Sequence, residues 1–426
     1  MKKINFLPTK IKYNDRKRQI EMYYRKQNSM KLFKVDIDFD HYIYISPEFS
    51  KYGNIEDEVI YNLITTEEPL ISAYMSPREA REVFKSGRYL TGEADVSPEQ
   101  RFVCDTFYNV DFPSDVKPRI YFLDIETYST DGILPRFNHN VAEINAITIF
   151  DTYSQKFYCW FMVPSIANED FNFYHDKIKE AIKEYGENEV KLFNNPKNLL
   201  MSFTQFITAE CPDIITAWNS SFDLPYITRK IVDHFGVKHL KTISPFYRVS
   251  SKVMAALENN DELRIDTLIP GIDIVDLMEL YKKYTPGQKP SYSLKAITEE
   301  ELTETKLKSN DGDSDPNHMY INDFVNFCKY NVQDVRLMYL LEQKRKLLEL
   351  AITIRNICKT NFQDIFFESI LLDNVFIMEA VTRRHNNEKH VLPSRNLNAV
   401  KEKYLGAYVK EPLKGRWPWV ADLKQN

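Results

Sequence analysis

Four acidic residues and one phenol carry the chemistry that this sequence can do: Asp124, Glu126, Asp223 and Asp334, with Tyr330 shortly before the last of them. They fall in three segments, Tyr121-Phe-Leu-Asp-Ile-Glu-Thr127, Asn219-Ser-Ser-Phe-Asp223 and Tyr330-Asn-Val-Gln-Asp334. Two divalent cations about 3.5–4 Å apart need several oxygen ligands and neutralise the charge that develops on an in-line phosphoryl transition state. Four carboxylates supply that cage, and a tyrosine hydroxyl beside it can orient the attacking water. Residues of these types in this order suit cleavage of a phosphodiester.

The elements that must position them are legible in the flanking residues. Asp124 and Glu126 lie two apart after the apolar run Ile120-Tyr-Phe-Leu123, so on a strand both side chains point to one face. Asp223 opens a helix after a short apolar strand ending at Trp218-Asn219, where an acid suits the helix dipole. Tyr330 and Asp334 have the i, i+4 spacing of one helix face. Taken singly, each has a plain structural reading: a solvated strand end, a helix-start aspartate, a half-buried packing tyrosine, and a turn residue in Asn219. Their joint occurrence in one segment of alternating strands and helices is what argues for a site.

Composition narrows the class. At 426 residues the chain exceeds the ~250–300 residues at which single cores stop growing, so more than one domain is expected. A net charge of −5 argues against a uniformly basic nucleic-acid coat, although Lys10–Arg18 and Lys344-Arg-Lys346 are basic locally. Such runs are more often solvated faces than binding sites. The 26 Tyr and 27 Phe could stack on unpaired bases, but core filling accounts for most of them. The five cysteines form no C-x-x-C pair and the histidines no H-E-x-x-H, which excludes the common zinc patterns and a disulfide framework. No apolar run reaches the ~18 residues of a membrane span, and no signal peptide opens the chain. The expectation is a protein of a reducing cytoplasm, a host's if the chain is viral, with no membrane partner.

Along the chain, residues 31–45 alternate in a strand-like way. Ser76-Pro-Arg-Glu79 reads as an N-cap, a proline at N1 and a capping box opening a helix over 76–86. The proline-punctuated 111–118 reads as a linker. Three apolar strands follow near 119–124, 142–151 and 156–163, as an antiparallel meander. Helices near 171–185 and 197–210 bracket a strand at 190–193. A further strand at 213–218 leads into a helix over 222–235 with Pro225 in its first turn. The spacing predicts a polar-tipped hairpin over 248–266, a loop over 303–318, one long helix over 320–350, and helices continuing to about Arg384. The fold class is mixed α/β with a smaller α+β amino-terminal domain.

The three acidic segments together resemble the exonuclease motifs of the DEDDy proofreading 3′–5′ exonucleases of family B DNA polymerases. Ile274–Lys283, Pro290-Ser-Tyr-Ser-Leu294 and Gly406-Ala-Tyr-Val-Lys-Glu-Pro412 resemble more specifically the replicative polymerases of T-even-like bacteriophages. The resemblance runs from about residue 60 to the last residues and is strongest over 119–345. It implies a ribonuclease H-like exonuclease domain over 111–345, an amino-terminal domain over 1–110, helices packing back on that domain over 346–385, and an incomplete start of the polymerase palm over 386–426. It implies two magnesium ions, with manganese able to substitute. Asp124 would bridge both, Glu126 and Asp334 would hold the one that activates water, Asp223 would hold the other, and Tyr330 would position the water. Lys306 matches a family lysine near the scissile phosphate, and the 248–266 segment matches in place a hairpin that separates primer from template. Asn219, Phe222, Tyr404, Gly406 and Lys410 would contact DNA, with Tyr404-Leu-Gly-Ala407 matching a template-contact motif.

Val420-Ala-Asp-Leu423 resembles the opening of the polymerase motif whose aspartate, here Asp422, binds a catalytic metal. The family pattern Asp-x-x-Ser-Leu-Tyr-Pro is not continued, and no second palm aspartate, fingers or thumb follows. Nucleotidyl transfer needs both carboxylates and a triphosphate clamp. The expectation is therefore an exonuclease acting on single-stranded and primer–template DNA, belonging to a split or truncated replicative polymerase. DNA synthesis would then need a second chain carrying the remaining palm, fingers and thumb, among other replisome proteins. The alternatives are a nucleic-acid-binding or regulatory subunit, and a scaffold without catalysis of its own.

Overall fold

The computed structural model describes residues 2–51, 59–129, 142–165, 171–265, 268–302 and 315–395. Its centre is a six-stranded sheet, numbered here in chain order: β1 (Ile120–Tyr128), β2 (Glu143–Asp151), β3 (Lys156–Met162), β4 (Asn188–Phe193), β5 (Ile214–Ala217) and β6 (Asp273–Asp276). The spatial order is β4-β3-β2-β1-β5-β6. β1, β2 and β3 form the expected antiparallel meander, while β5 and β6 run parallel to β1. With helices on both faces this is the ribonuclease H-like arrangement of a mixed α/β fold.

Alternation along β1 sorts the two cores. Tyr121, Leu123 and Ile125 pack with Leu199, Phe203, Leu224 and Ile231 on one face. Ile120 and Phe122 pack with Phe327, Val332, Val335 and Met338 of the helix Phe324–Arg345 on the other. Asp124 and Glu126 continue the second series, so the period-two pattern aims both at that helix.

The amino-terminal residues build a three-stranded sheet (Phe6–Asn14, Gln19–Lys26, Leu32–Asp38) and, together with His390–Val391, a five-stranded one that includes Tyr42–Ile45 and Pro69–Tyr74. The alternating run 31–45 is thus two strands in two sheets. The helix Pro77–Ser86 carries the predicted capping box, with Ser76 and Glu79 exchanging hydrogen bonds. The helix Glu368–His385 lays Ile377, Met378 and Val381 against Cys104 of the helix Pro98–Phe107.

The three-stranded sheet is tied to β5 by one buried carboxylate. Asp213 accepts from Lys10 Nζ at 2.6 Å, Arg25 Nε at 2.7 Å and the Arg119 backbone N–H at 2.8 Å. Lys10, read in sequence as part of a basic surface run, is buried there.

Two sequence expectations are corrected. The 248–266 segment is not a hairpin in its described residues: Ser251–Asn259 is a helix, capped by Ser250, with Val253 buried and Asn260 closing it in the left-handed conformation. Its Lys-Val-Met-Ala-Ala-Leu-Glu run consists mostly of good helix formers, and that preference outweighs the polar tip. The long helix over 320–350 is three helices, Pro316–Asn322, Phe324–Arg345 and Leu347–Cys358. Asp323 leaves helical geometry at φ −146° and accepts from the Asn326 N–H, while Lys346 adopts φ 56°. The apolar spacing continues through both breaks, which is why periodicity alone reads them as one.

Candidate active site

β1 is longer than its neighbour on one side. It pairs with β2 from Tyr121 to Tyr128, but with β5 only through Ile120, Tyr121 and Phe122. Asp124 and Glu126 therefore stand beyond the end of β5, in the crevice outside the carboxyl ends of parallel strands where α/β sheets hold ligands. A register shift at Glu126/Thr127 bends the strand there.

β5 turns straight into the helix Ser220–Phe235. Asn219 makes the corner at φ 69°, ψ 54°, a left-handed conformation that asparagine tolerates better than most residues. Its exposed side chain accepts from the Ser221 hydroxyl at 2.7 Å, so the observed role is that of a turn residue. The corner is held from two sides. Trp218 donates its indole N–H to the Tyr292 carbonyl at 2.9 Å. Asp276, at the end of β6, caps the helix Leu277–Tyr284 through the Met278 and Glu279 N–H groups and also accepts from the Ser220 backbone. Phe222 stacks on Tyr226 with ring centroids 5.4 Å apart, half-buried against the second core.

This corner puts Asp223 in the first helical turn, buried and beside β1, where its carboxylate accepts a hydrogen bond from the Ile125 backbone. Burial pushes its carboxyl well above the ordinary range, and the neighbouring Asp124 charge pushes it further. On the other side, the helix Phe324–Arg345 delivers Tyr330, Asn331 and Asp334, all buried. Asp124, Glu126 and Asp334 each present an oxygen, and these atoms lie within 4.8 Å of one another. Asn331 Nδ2 donates to Asp124 Oδ2 at 2.7 Å.

Of the predicted site residues, the structure brings Asp124, Glu126 and Asp334 into one cluster, with Asp223 adjoining Asp124 and Tyr330 on the same helix as Asp334. Lys306, Tyr404, Gly406, Lys410 and Asp422 lie outside the described residues. Sequence reading passed over Asn331 and Asp276. Asn331 stands three before Asp334, a same-face spacing that could have flagged it. Asp276 is paired with the Ser220 corner only by folding.

The cluster fits hard divalent cations. All its charged donors are carboxylate oxygens, the set that suits magnesium, calcium and manganese. Like charges this close in a half-buried site repel, and a divalent cation relieves that cost. Zinc-type sites use nitrogen and sulfur donors, and none is part of this cluster.

Residues 94–297 match the exonuclease domain of DNA polymerase family B. The DNA-directed DNA polymerase of Escherichia phage RB69 is 30% identical over 333 residues, covering 75% of this chain and 35% of that protein. The DNA-directed DNA polymerase of Enterobacteria phage T4 is 26% identical over 281 residues, covering 63% of this chain and 30% of that protein. The DNA polymerase delta catalytic subunit of Plasmodium falciparum (isolate K1 / Thailand) is 26% identical over 241 residues, covering 52% and 20%. The chain thus spans about a third of the length of the phage relatives it matches. Exonuclease domains of this family use divalent metals, and among the described residues no helix is long and apolar enough to cross a membrane.

Proposed function

We propose that this chain, whose residues 94–297 carry the exonuclease domain of family B DNA polymerases, hydrolyses the terminal phosphodiester at the 3′ end of single-stranded or frayed primer DNA. The observation that carries the proposal is the cluster of Asp124, Glu126 and Asp334 beyond the end of β5, with Asp223 adjoining it. Two divalent cations held there, magnesium or manganese, would supply the positive charge that the reacting phosphoryl group needs. Asp124 belongs to the cluster with Glu126 and Asp334 and also neighbours Asp223, so one carboxylate there could serve two cations. Tyr330, one helical turn before Asp334, holds and orients the water through its hydroxyl. Phe222 and Asn219 flank the entrance from the β5 corner and meet the DNA strand. Removal proceeds one nucleoside monophosphate at a time.

The test is magnesium-dependent release of mononucleotides from a 3′-labelled single strand by the purified chain, with Asp124→Ala as control. Release that is lost in the variant is the expected result. Release that persists unchanged in Asp124→Ala overturns the site. DNA binding without any release by the wild-type chain favours the binding-subunit reading instead.

A further inference from the structure

We propose that Asn331 is a positioning residue for the cation site, fixing the rotamer of Asp124 by a neutral hydrogen bond. The inference rests on the metal-site reading above. Asn331 is wholly buried, and its helix neighbours Phe327, Cys328, Val332 and Val335 are buried and apolar. A leucine of similar size would suit that environment better than an amide. Asn331 Oδ1 is buried and accepts from no protein group in the structure. Leaving a buried acceptor unsatisfied costs about 1–3 kcal/mol.

The other end meets Asp124. An ionised carboxylate only accepts, so the amide nitrogen must be the atom that faces it, and the 2.7 Å contact is an N–H donated to Oδ2. That bond occupies one oxygen of Asp124 and holds the carboxylate plane. The same carboxylate presents an oxygen to the cluster shared with Glu126 and Asp334.

The neutrality of the donor matters as much as its geometry. A lysine or arginine would hold Asp124 equally well but would compensate its charge and compete with a cation. Asp213 shows the contrast, gripped by Lys10 and Arg25 and left with nothing to offer a metal. A neutral amide orients the carboxylate without itself adding a positive charge. Partners of this kind, one shell out from the metal, typically change affinity or activity 10–100-fold when removed.

The experiment uses the full chain, with Asn331→Leu and Asn331→Ala. Both remove the donor, one by filling the space and one by emptying it, so a folding defect in either does not decide the matter. Manganese binding is followed by titration calorimetry and by the rise in melting temperature that bound metal produces. Hydrolysis is followed against magnesium concentration. The expected result is a rise of about 10–100-fold in half-saturating metal for both variants, with the melting temperature of metal-free Asn331→Leu at or above wild type. Excess metal should restore much of the rate. Wild-type metal dependence in both variants overturns the proposal, whatever their stability. Asp124→Ala separates the two levels: if it abolishes metal binding and hydrolysis while the Asn331 variants behave as wild type, only this inference falls. If Asp124→Ala itself binds metal and hydrolyses normally, the site reading falls and takes the inference with it.

Discussion

Asp213 just before β5 and Asp223 in the first turn of the helix after it are both buried, and their surroundings push them in opposite directions. For Asp213, burial alone would raise the carboxyl pKa, but Lys10 and Arg25 outweigh it and hold the group down at about 2. For Asp223, burial raises it and the Asp124 carboxylate adds to the rise; only backbone N–H groups oppose them. The first acid is compensated within the fold, and it joins the amino-terminal sheet to the central one. The second is left under-compensated in the crevice beside Asp124, where a cation would complete it. The two aspartates thus show one scaffold compensating a carboxylate with Lys10 and Arg25 where it joins two sheets, and setting another beside a second carboxylate in the candidate site.

The widest separation between the two regions is expected from Asp124→Ala. Loss of the central carboxylate should lower nuclease turnover by roughly a thousandfold or more, equivalent to about 4 kcal/mol of transition-state stabilisation. Asp334→Ala should be comparable. Metal-free stability in urea should not fall, because a repelling charge has been removed. A variant that loses stability in step with activity would mean that Asp124 holds the fold as Asp213 does, and the contrast would collapse.

Asp213→Ala should do the reverse. It strands Lys10 and Arg25 without their carboxylate, a loss of about 3–5 kcal/mol in unfolding free energy, measurable as a lower urea midpoint. Activity per folded molecule should change little. Isosteric amides sharpen the sign: Asp213→Asn should destabilise the metal-free chain, and Asp223→Asn should not. The pH dependence follows from the lowered pKa of Asp213. Its contribution is present above the unfolded value near pH 4 and is lost as pH falls through about 2, a difference of about 2 kcal/mol. In Asp213→Asn that part of the acid destabilisation should be missing. An unchanged acid-unfolding profile would show that the pairing contributes nothing.

Tyr330→Phe tests a subtler division inside the site. The Tyr330 ring is part of the buried core, and it stays there when the hydroxyl is removed. The expected loss is about ten- to a hundredfold in turnover, below that of Asp334→Ala, because orienting a water costs less to lose than a metal ligand. Metal affinity should be unaffected. Equal losses in the two variants, or a metal dependence shifted in Tyr330→Phe, would move Tyr330 from water positioning to ligand support.

The two regions also differ in how far they could be read in the chain. The carboxylate site was legible because its signals are local: a D-x-E after an apolar run, an acid opening a helix, and an i, i+4 pair. Each fixes a face by periodicity, and the faces converge. The Asp213 knot was not legible, because its partners are separated from it by 203 and 188 residues and nothing near Lys10 marks it as buried. Periodicity also hid the breaks at Asp323 and Lys346, since an apolar face can continue across a change of axis. The helix Ser251–Asn259 was misread as a hairpin because its polar end drew more weight than its helix-forming body. Asn331 went unnoticed for a different reason: what it does depends on Asp124, across the sheet–helix interface.

Asn219 lies between the two acids and gives the smallest and most local test. It makes the β5-to-helix corner in left-handed geometry, and its side chain accepts from Ser221. If the corner is its whole role, Asn219→Gly should keep both stability and activity near wild type, since glycine adopts φ 69° freely. Asn219→Ala should cost about 1–2 kcal/mol in unfolding free energy, the penalty of a Cβ in that conformation. The strain would be placed between Asp213 and Asp223, so its effect shows which neighbour gives way. A lowered urea midpoint with normal turnover means that the Asp213 knot and the Asp276 contact hold the corner and the helix stays in place. Lowered turnover with a normal midpoint means that the corner relaxes toward the crevice and Asp223 moves. If instead Asn219→Gly weakens single-strand DNA binding at unchanged stability, the side chain meets the substrate, and the corner belongs to the site as well as to the scaffold.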